Sequence, residues 1–418
     1  MKIATGNAEL FLNSKQLKSL DLFWAGFIIY IVTATVSITG YVDVVICQGI
    51  GVIGLALVIY AATSLFKVKF DDQYLQSVFS VFIIWTLITI ARGFAFDYGS
   101  LKQQFLDPGF GVMGYLAPLI LLFPRNIGFY KKTVEFIIVS GICYVLFVAV
   151  FFKDMRSYDV TDLLSQALVE YFAEMSKPLL FIFITYYYHS NKQRIFAAAV
   201  LLLTLYFALV RARRGLLYTT LFTSITSFIL FLSNTKQKGL TILMSVILVA
   251  VAFFYLSSKS GSKGGDIFTF LNARKDEDTR SNVEVSFYED MATKDMIIGR
   301  GLNGEYYCPG VENVMNNTSN RNVIETGYLQ LILKGGIIIL VLLGLILIPA
   351  IIKGFFYSKN VLSKGAALWI LLWILYLYPA IGNSFYMYYL LVWISVGICY
   401  SKKIRNMSDE EIKEGFQK

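Results

Sequence analysis

The stretch LVRARRGLL, residues 209–217, puts Arg211, Arg213 and Arg214 between two apolar runs, each long enough to cross a bilayer. A guanidinium meets a phosphate or carboxylate with two parallel hydrogen bonds, so clustered arginines suit dense negative charge. Arginine at mid-membrane costs about 2.5–3.5 kcal/mol on insertion scales, less near the interface, and usually needs a counter-ion. No acidic residue lies within ten positions on either side, so the partner must come from another segment or from a ligand. The complementary group is Glu325 in RNVIETGYLQLILKGG, a carboxylate at the start of an apolar run. Helical spacing sets Glu325, Tyr328 and Leu329 on neighbouring faces of one turn. A carboxylate there is a functional candidate by default, able to take a proton from a hydroxyl.

Other chemistries find less support. His189 is the only histidine and sits at the end of an apolar run, interfacial rather than catalytic; with no cysteine pair beside it, a zinc site is not expected. Asp276, Glu277 and Asp278 read as a solvated charge run rather than a metal site. There is no phosphate-binding loop, dinucleotide fingerprint or nucleophile elbow. Gly299, Gly301 and Gly304 in GRGLNG have the G-x-G-x-x-G spacing, but no βαβ unit surrounds them, and a flexible turn is expected. Cys47, Cys143 and Cys399 lie in apolar runs and Cys308 alone in a polar segment, so no disulfide framework is expected. No metal or organic cofactor is called for.

The elements that must position these groups are membrane helices. Of 418 residues, 56% are hydrophobic and 16% charged, with mean hydropathy +0.62. No soluble core uses that much apolar surface. The net charge of +9 speaks to topology and anionic headgroups, not to nucleic acid. At about 20 apolar residues per crossing, twelve spans are expected: 21–39, 44–66, 76–92, 109–123, 134–152, 178–190, 195–210, 215–233, 239–257, 330–352, 365–381 and 384–400. The fourth is Gly- and Pro-rich and open to a break; the sixth is short. No removable signal peptide is expected in the N-terminal residues. With a cytoplasmic N-terminus, every inner connection is short and basic, from Lys67 and Lys69 through Lys236 and Lys238 to Lys402, Lys403 and Arg405. The arginines at 211–214 then face outward, as do Arg280, Arg300 and Arg321, with Arg92 at an outer helix end.

The fold class is thus an all-α polytopic membrane bundle: a first part at 1–257, an extracytoplasmic loop at 258–329, three last helices at 330–400 and a cytoplasmic tail at 401–418. Residues 153–177 form an amphipathic helix with Asp159 as N-cap, either packed on the bundle or acting as a lid. Within the loop, a Gly/Ser/Lys linker leads to a helix at about 279–294 with Val283, Phe287 and Met291 on one face.

This combination resembles the O-antigen polymerase and ligase superfamily. The resemblance is carried by about twelve helices, a large late loop, the R-G of RRGLL, a G-x-G turn and E-x-x-Y-L-Q opening the next helix. It implies a bacterial inner-membrane glycosyltransferase whose substrate is an undecaprenyl-diphosphate-linked oligosaccharide, with a chain-length regulator protein as a further partner. Arg214 matches the arginine of the helix-start motif and Arg280 the loop arginine before the G-x-G turn. With Glu325 these are the expected catalytic residues. Arg211, Arg213, Arg300, Arg321 and Tyr328 are expected to bind substrate. The ligase branch carries a histidine where this chain has Glu325 or Thr326, which favours a polymerase; a ligase or a lipid-linked oligosaccharide flippase are the alternatives.

The topology has a direct test. In intact cells an impermeant thiol reagent should label Lys263→Cys and not Lys236→Cys. The reverse pattern would invert the whole arrangement.

Overall fold

The computed structural model describes residues 12–67, 70–157, 162–234, 280–309 and 319–417. The expected span at 239–257, the Gly/Ser/Lys linker, Asp276 to Asp278 and Asp159 lie outside the described residues. The described residues are helical almost throughout. Among the described residues the only strands are a two-residue antiparallel pair, Tyr306–Tyr307 against Asn320–Arg321.

Among the described residues, seven helices are long and apolar enough to cross a membrane: Ser14–Thr39, Val44–Leu65, Gln73–Gly93, Ile127–Met155, Asn191–Val210, Arg214–Leu232 and Gly327–Phe356. They carry large apolar side chains on their open faces, such as Val45, Ile53, Ile84 and Ile229, the pattern of a surface covered by lipid. The chain therefore has the make-up of a multi-pass helical membrane protein.

Four further expected spans take shorter forms. The one at 109–123 breaks at Pro118, which has no N–H to donate, into Val112–Leu116 and a 3-10 turn at Ala117–Leu122. The one at 178–190 is a five-residue helix, Leu180–Ile184, between single 3-10 turns. The last two are Val361–Tyr376 and Met387–Tyr400, of 16 and 14 residues; Pro379 and Gly382 lie in the segment between them.

The chain divides into two compact units, Met1–Phe136 with Asp278–Lys418, and Ile137–Glu277. In the first, the opening helices form an antiparallel hairpin. Gly26 and Gly54 face each other so closely that a Cβ on Gly26 would stand 2.8 Å from the Gly54 carbonyl oxygen. Helix starts are set locally: Asn13, Asp43, Asp72, Asp97 and Asn360 each accept a hydrogen bond from a first-turn amide.

The centre of this unit is the helix Gly327–Phe356, which kinks at Gly336 (φ 71°, ψ −177°). The kink breaks the backbone ladder inside an apolar run, and three carbonyls find other donors. Arg300 N reaches Leu333 O at 2.7 Å, Gly301 N reaches Lys334 O at 2.9 Å, and the Trp85 indole reaches Gly335 O at 2.8 Å. The GRGLNG segment is thus a clamped turn rather than a flexible one. Gly299 and Gly301 are both left-handed, and a Cβ on Gly301 would stand 2.9 Å from the Arg92 carbonyl carbon. Arg92 holds the other side, donating to the carbonyls of Ile298 and Gly299 at 2.7 and 2.5 Å.

The expected loop helix appears as Ser281–Asp290, followed by Thr293–Ile298. Val283, Phe287 and Met291 are buried as the spacing requires. They share one core with Tyr306, Cys308, Ile324, and Leu329, Ile332 and Leu333 of the kinked helix. Cys308, apparently stranded in a polar segment, is a core residue.

In the second unit the amphipathic helix runs Leu163–Ser176. Its N-cap is Asp162, which accepts from Ser165 N at 2.9 Å. Leu168, Phe172 and Met175 are buried, while Leu163 and Leu164 of the expected apolar face are exposed. The helix packs on its own unit through stacked Phe147 and Phe172 rings 4.7 Å apart.

Gly336→Ala places a methyl against the Ile297 carbonyl oxygen and forces L-residue backbone into a left-handed region, together costing about 2 kcal/mol or more. The thermal midpoint of the purified protein should fall accordingly. Gly344→Ala, whose Cβ meets only Ile348 Cδ1 at 3.8 Å, should leave it unchanged or raise it.

Candidate functional site

The kinked helix begins at a close crossing. Gly327 lets its backbone pass against the Ala380 carbonyl, and Tyr328 N donates to Leu377 O at 3.2 Å. Glu325 stands just before this crossing, two residues ahead of the helix. Arg280, immediately before the Ser281–Asp290 helix, donates to the Pro379 carbonyl at 2.8 Å. That bond swings its guanidinium towards Glu325, with Nε 3.6 Å from Glu325 Oε2. Their side chains are 39% and 59% exposed, so the pair is loose and accessible. Solvent screening leaves such a pair a contribution of about 0–1 kcal/mol to stability. The two charges are therefore held together at little gain to the fold.

Around them, Thr326 is buried and donates to Glu284 Oε1. Tyr288, Glu284 and Tyr378 lie near the Tyr328 hydroxyl, and Tyr288 and Tyr378 are exposed. On the strand pair, Arg321 is registered against Tyr306. The Tyr306 hydroxyl is buried without a hydrogen-bond partner among the described residues. Burial pushes its phenol up, with Arg321 pulling against that shift and Cys308 and Glu325 adding to it. Glu325, Arg280, Arg321 and Tyr328 thus belong to one region of the first unit. Sequence reasoning missed Tyr306, whose only signal is an aromatic pair beside the glycine turn.

Arg300 has a different place. Its Nε reaches Asp295 Oδ2 at 2.8 Å, Nη1 reaches Asp290 Oδ2 at 2.5 Å and Glu305 O at 2.7 Å, and Nη2 reaches Asp290 O at 2.7 Å. Burial alone would lower its pKa; the bonds to Asp290 and Asp295 outweigh that and raise it. Most of its donors are committed to the protein, and it ties the 290–305 segment into the clamp.

In the second unit, the counter-ion that the local sequence lacks comes from the amphipathic helix. Arg213 pairs with Glu170 and donates to Gln166 Oε1 at 3.1 Å. Arg211 is 5% exposed; it donates to the carbonyls of Ser157 and Asp162 at 2.5 and 2.9 Å. Between them Ala212 takes φ 48°, the only left-handed non-glycine among the described residues. That turn sends the chain directly into the next helix, which Arg214 opens as an exposed residue. A cation at that end opposes the helix dipole, so its energy improves when an anion is nearby. His189 is buried, its Nε2 2.8 Å from Thr185 Oγ1, a packed residue. Among the described residues no group of three His, Cys, Asp or Glu side chains could hold a metal.

The fold and this region together define a multi-pass helical chain with an exposed carboxylate–guanidinium pair at the start of an apolar helix. Comparison with protein-family models, with curated proteins and with solved structures finds no match.

Arg300→Met removes four hydrogen bonds and leaves two carboxylates facing each other. Breaking such a partly buried network should cost about 2 kcal/mol or more. Limited proteolysis should then cut within 290–305 at least tenfold faster than in the wild type.

Proposed function

We propose that the chain is a polysaccharide polymerase, transferring a growing glycan from undecaprenyl diphosphate to a lipid-linked repeat unit at the outer face of a bacterial inner membrane. The observation that carries this reading is the loose, exposed Arg280–Glu325 pair 3.6 Å apart, set where the chain enters an apolar helix. The resemblance to the O-antigen polymerases supplies the substrate class, and the positive-inside count supplies the orientation.

The chemistry follows from charge. As the acceptor sugar hydroxyl attacks the anomeric carbon, a new carbon–oxygen bond forms and the bond to the diphosphate oxygen breaks. The hydroxyl proton passes to the Glu325 carboxylate, and the diphosphate leaves with added negative charge. Arg280, beside that carboxylate, takes up that charge. Arg321 and the tyrosines Tyr328 and Tyr288 offer polar and aromatic surface for sugar. Arg211, Arg213 and Arg300 act instead by holding backbone and helix ends in place. A Glu-to-diphosphate step of this kind uses no metal.

Purified protein given one lipid-linked repeat unit should yield a ladder of lengthened products. Glu325→Gln should keep substrate binding and lose about 10²–10⁴ in rate. Arg280→Lys, which keeps charge but loses the fork, should lose more than tenfold. A Glu325→Gln ladder at the wild-type rate would reduce Glu325 to a counter-ion.

A further inference from the structure

A polar cavity in the first unit has no part in that chemistry. It is walled by Gln103, Gln104, Asn303, Asn383, Tyr115 and Lys334, with Phe110 also on its lining. Its volume of about 30 Å3 gives room for roughly two water-sized groups. Three of its side chains are buried with unmet hydrogen-bonding capacity. Gln104, 4% exposed, donates its Nε2 to Ala95 O at 3.0 Å, which fixes the amide and leaves Oε1 without a partner. Asn383, 7% exposed, leaves Oδ1 without one as well. Lys334, 4% exposed, donates one hydrogen bond, to Gly304 O at 2.8 Å, and makes no ion pair among the described residues. Two ammonium N–H groups remain.

The walls are held firmly. Gly114 admits the Asn383 backbone where a Cβ would stand 2.9 Å from its carbonyl oxygen, and Phe385 N donates to Pro108 O at 2.6 Å. Lys334 is the last residue but one before the kink, and its own carbonyl is taken by Gly301. Leaving buried acceptors unmet is costly, and leaving a buried ammonium unmet more so.

The pattern selects a guest. An anion satisfies Lys334 but brings no proton to the two amide oxygens. A cation meets the oxygens but is repelled by Lys334. An apolar group leaves all three unmet. A hydroxyl donates one proton and accepts at two lone pairs. Two neighbouring hydroxyls can each donate to one amide oxygen while both accept from the ammonium. We propose that the cavity binds the vicinal diol edge of one sugar residue, with Lys334, Gln104 and Asn383 as its anchors and the ring resting outside against exposed Phe110. This rests on the reading of the chain as acting on glycans; it places a sugar-specific subsite on the segment 322–330, which lines the cavity through Asn322, Val323 and Gln330 and also carries Glu325.

The test uses the full chain in lipid nanodiscs and free probes without a lipid carrier. Saturation-transfer NMR is run with glucose, galactose, mannose and N-acetylglucosamine, and with trans-1,2-cyclohexanediol against cyclohexanol. At least one hexose should bind, be displaced by the diol and resist displacement by cyclohexanol and inorganic phosphate. Lys334→Met and Asn383→Leu should each weaken binding at least tenfold. If Lys334→Met does not fold, Lys334→Arg keeps the charge, fills the cavity and should block binding too. Transfer to no hexose means the cavity holds water only and overturns the proposal. So does displacement by phosphate, which makes the guest an anion, or unchanged binding in the Lys334 variant that folds. A hexose that binds while no ladder forms removes the polymerase reading alone; a ladder without hexose binding removes this site alone.

Discussion

One broken turn of helix organises the first unit. At Gly336 the backbone leaves helical geometry in the middle of an apolar run, where water cannot satisfy the carbonyls that lose their partners. Arg300, Gly301 and Trp85 supply the missing donors. The rest of the region follows. The glycine turn must pass close to the kink, so Gly299 and Gly301 adopt left-handed backbone. Arg92 must hold that turn from the far side, and the core around Phe287 forms on the helix segment just before the bend. Glu325 and Arg280 are positioned by the same helix at its first turn.

Electrostatics sorts the arginines by partner. Arg92 and Arg211 spend their guanidinium groups on backbone carbonyls, Arg213 and Arg300 on carboxylates. These are the roles expected of arginine in low-dielectric surroundings, where an unmatched cation is expensive. Arg280 also donates to a backbone carbonyl, that of Pro379, but its carboxylate partner Glu325 is exposed and 3.6 Å away. A loose pair costs little to open, and an anion or a proton acceptor role is available only to groups that can be released at small cost.

The amino-acid sequence made the helical class, the positions of most spans and the Val283–Phe287–Met291 face legible, because period and apolar length are local properties. It could not show that Glu170 serves Arg213, because the two are brought together by folding and not by spacing. The amphipathic helix was found but its cap moved from Asp159 to Asp162, a shift of the kind that several nearby capping residues always leave open. In sequence the glycine turn looks flexible because its constraint lies 35 residues on, at the kink. Lys334 does carry a sequence signal, an ionisable residue inside LQLILKGGIIILV. Gln104 and Asn383 had none, since an amide is conspicuous only once its unmet oxygen is buried.

The glycine crossing of the first two helices has a consequence for biogenesis. Gly26 and Gly54 meet backbone to backbone, and a four-residue turn joins their helices. Contacts this local close with small loop entropy. The contacts of the crossing itself lie within residues 14–65, so they are available to form as soon as both helices have left the ribosome, and later segments then pack Phe123, Phe136 and Phe385 on the first helix.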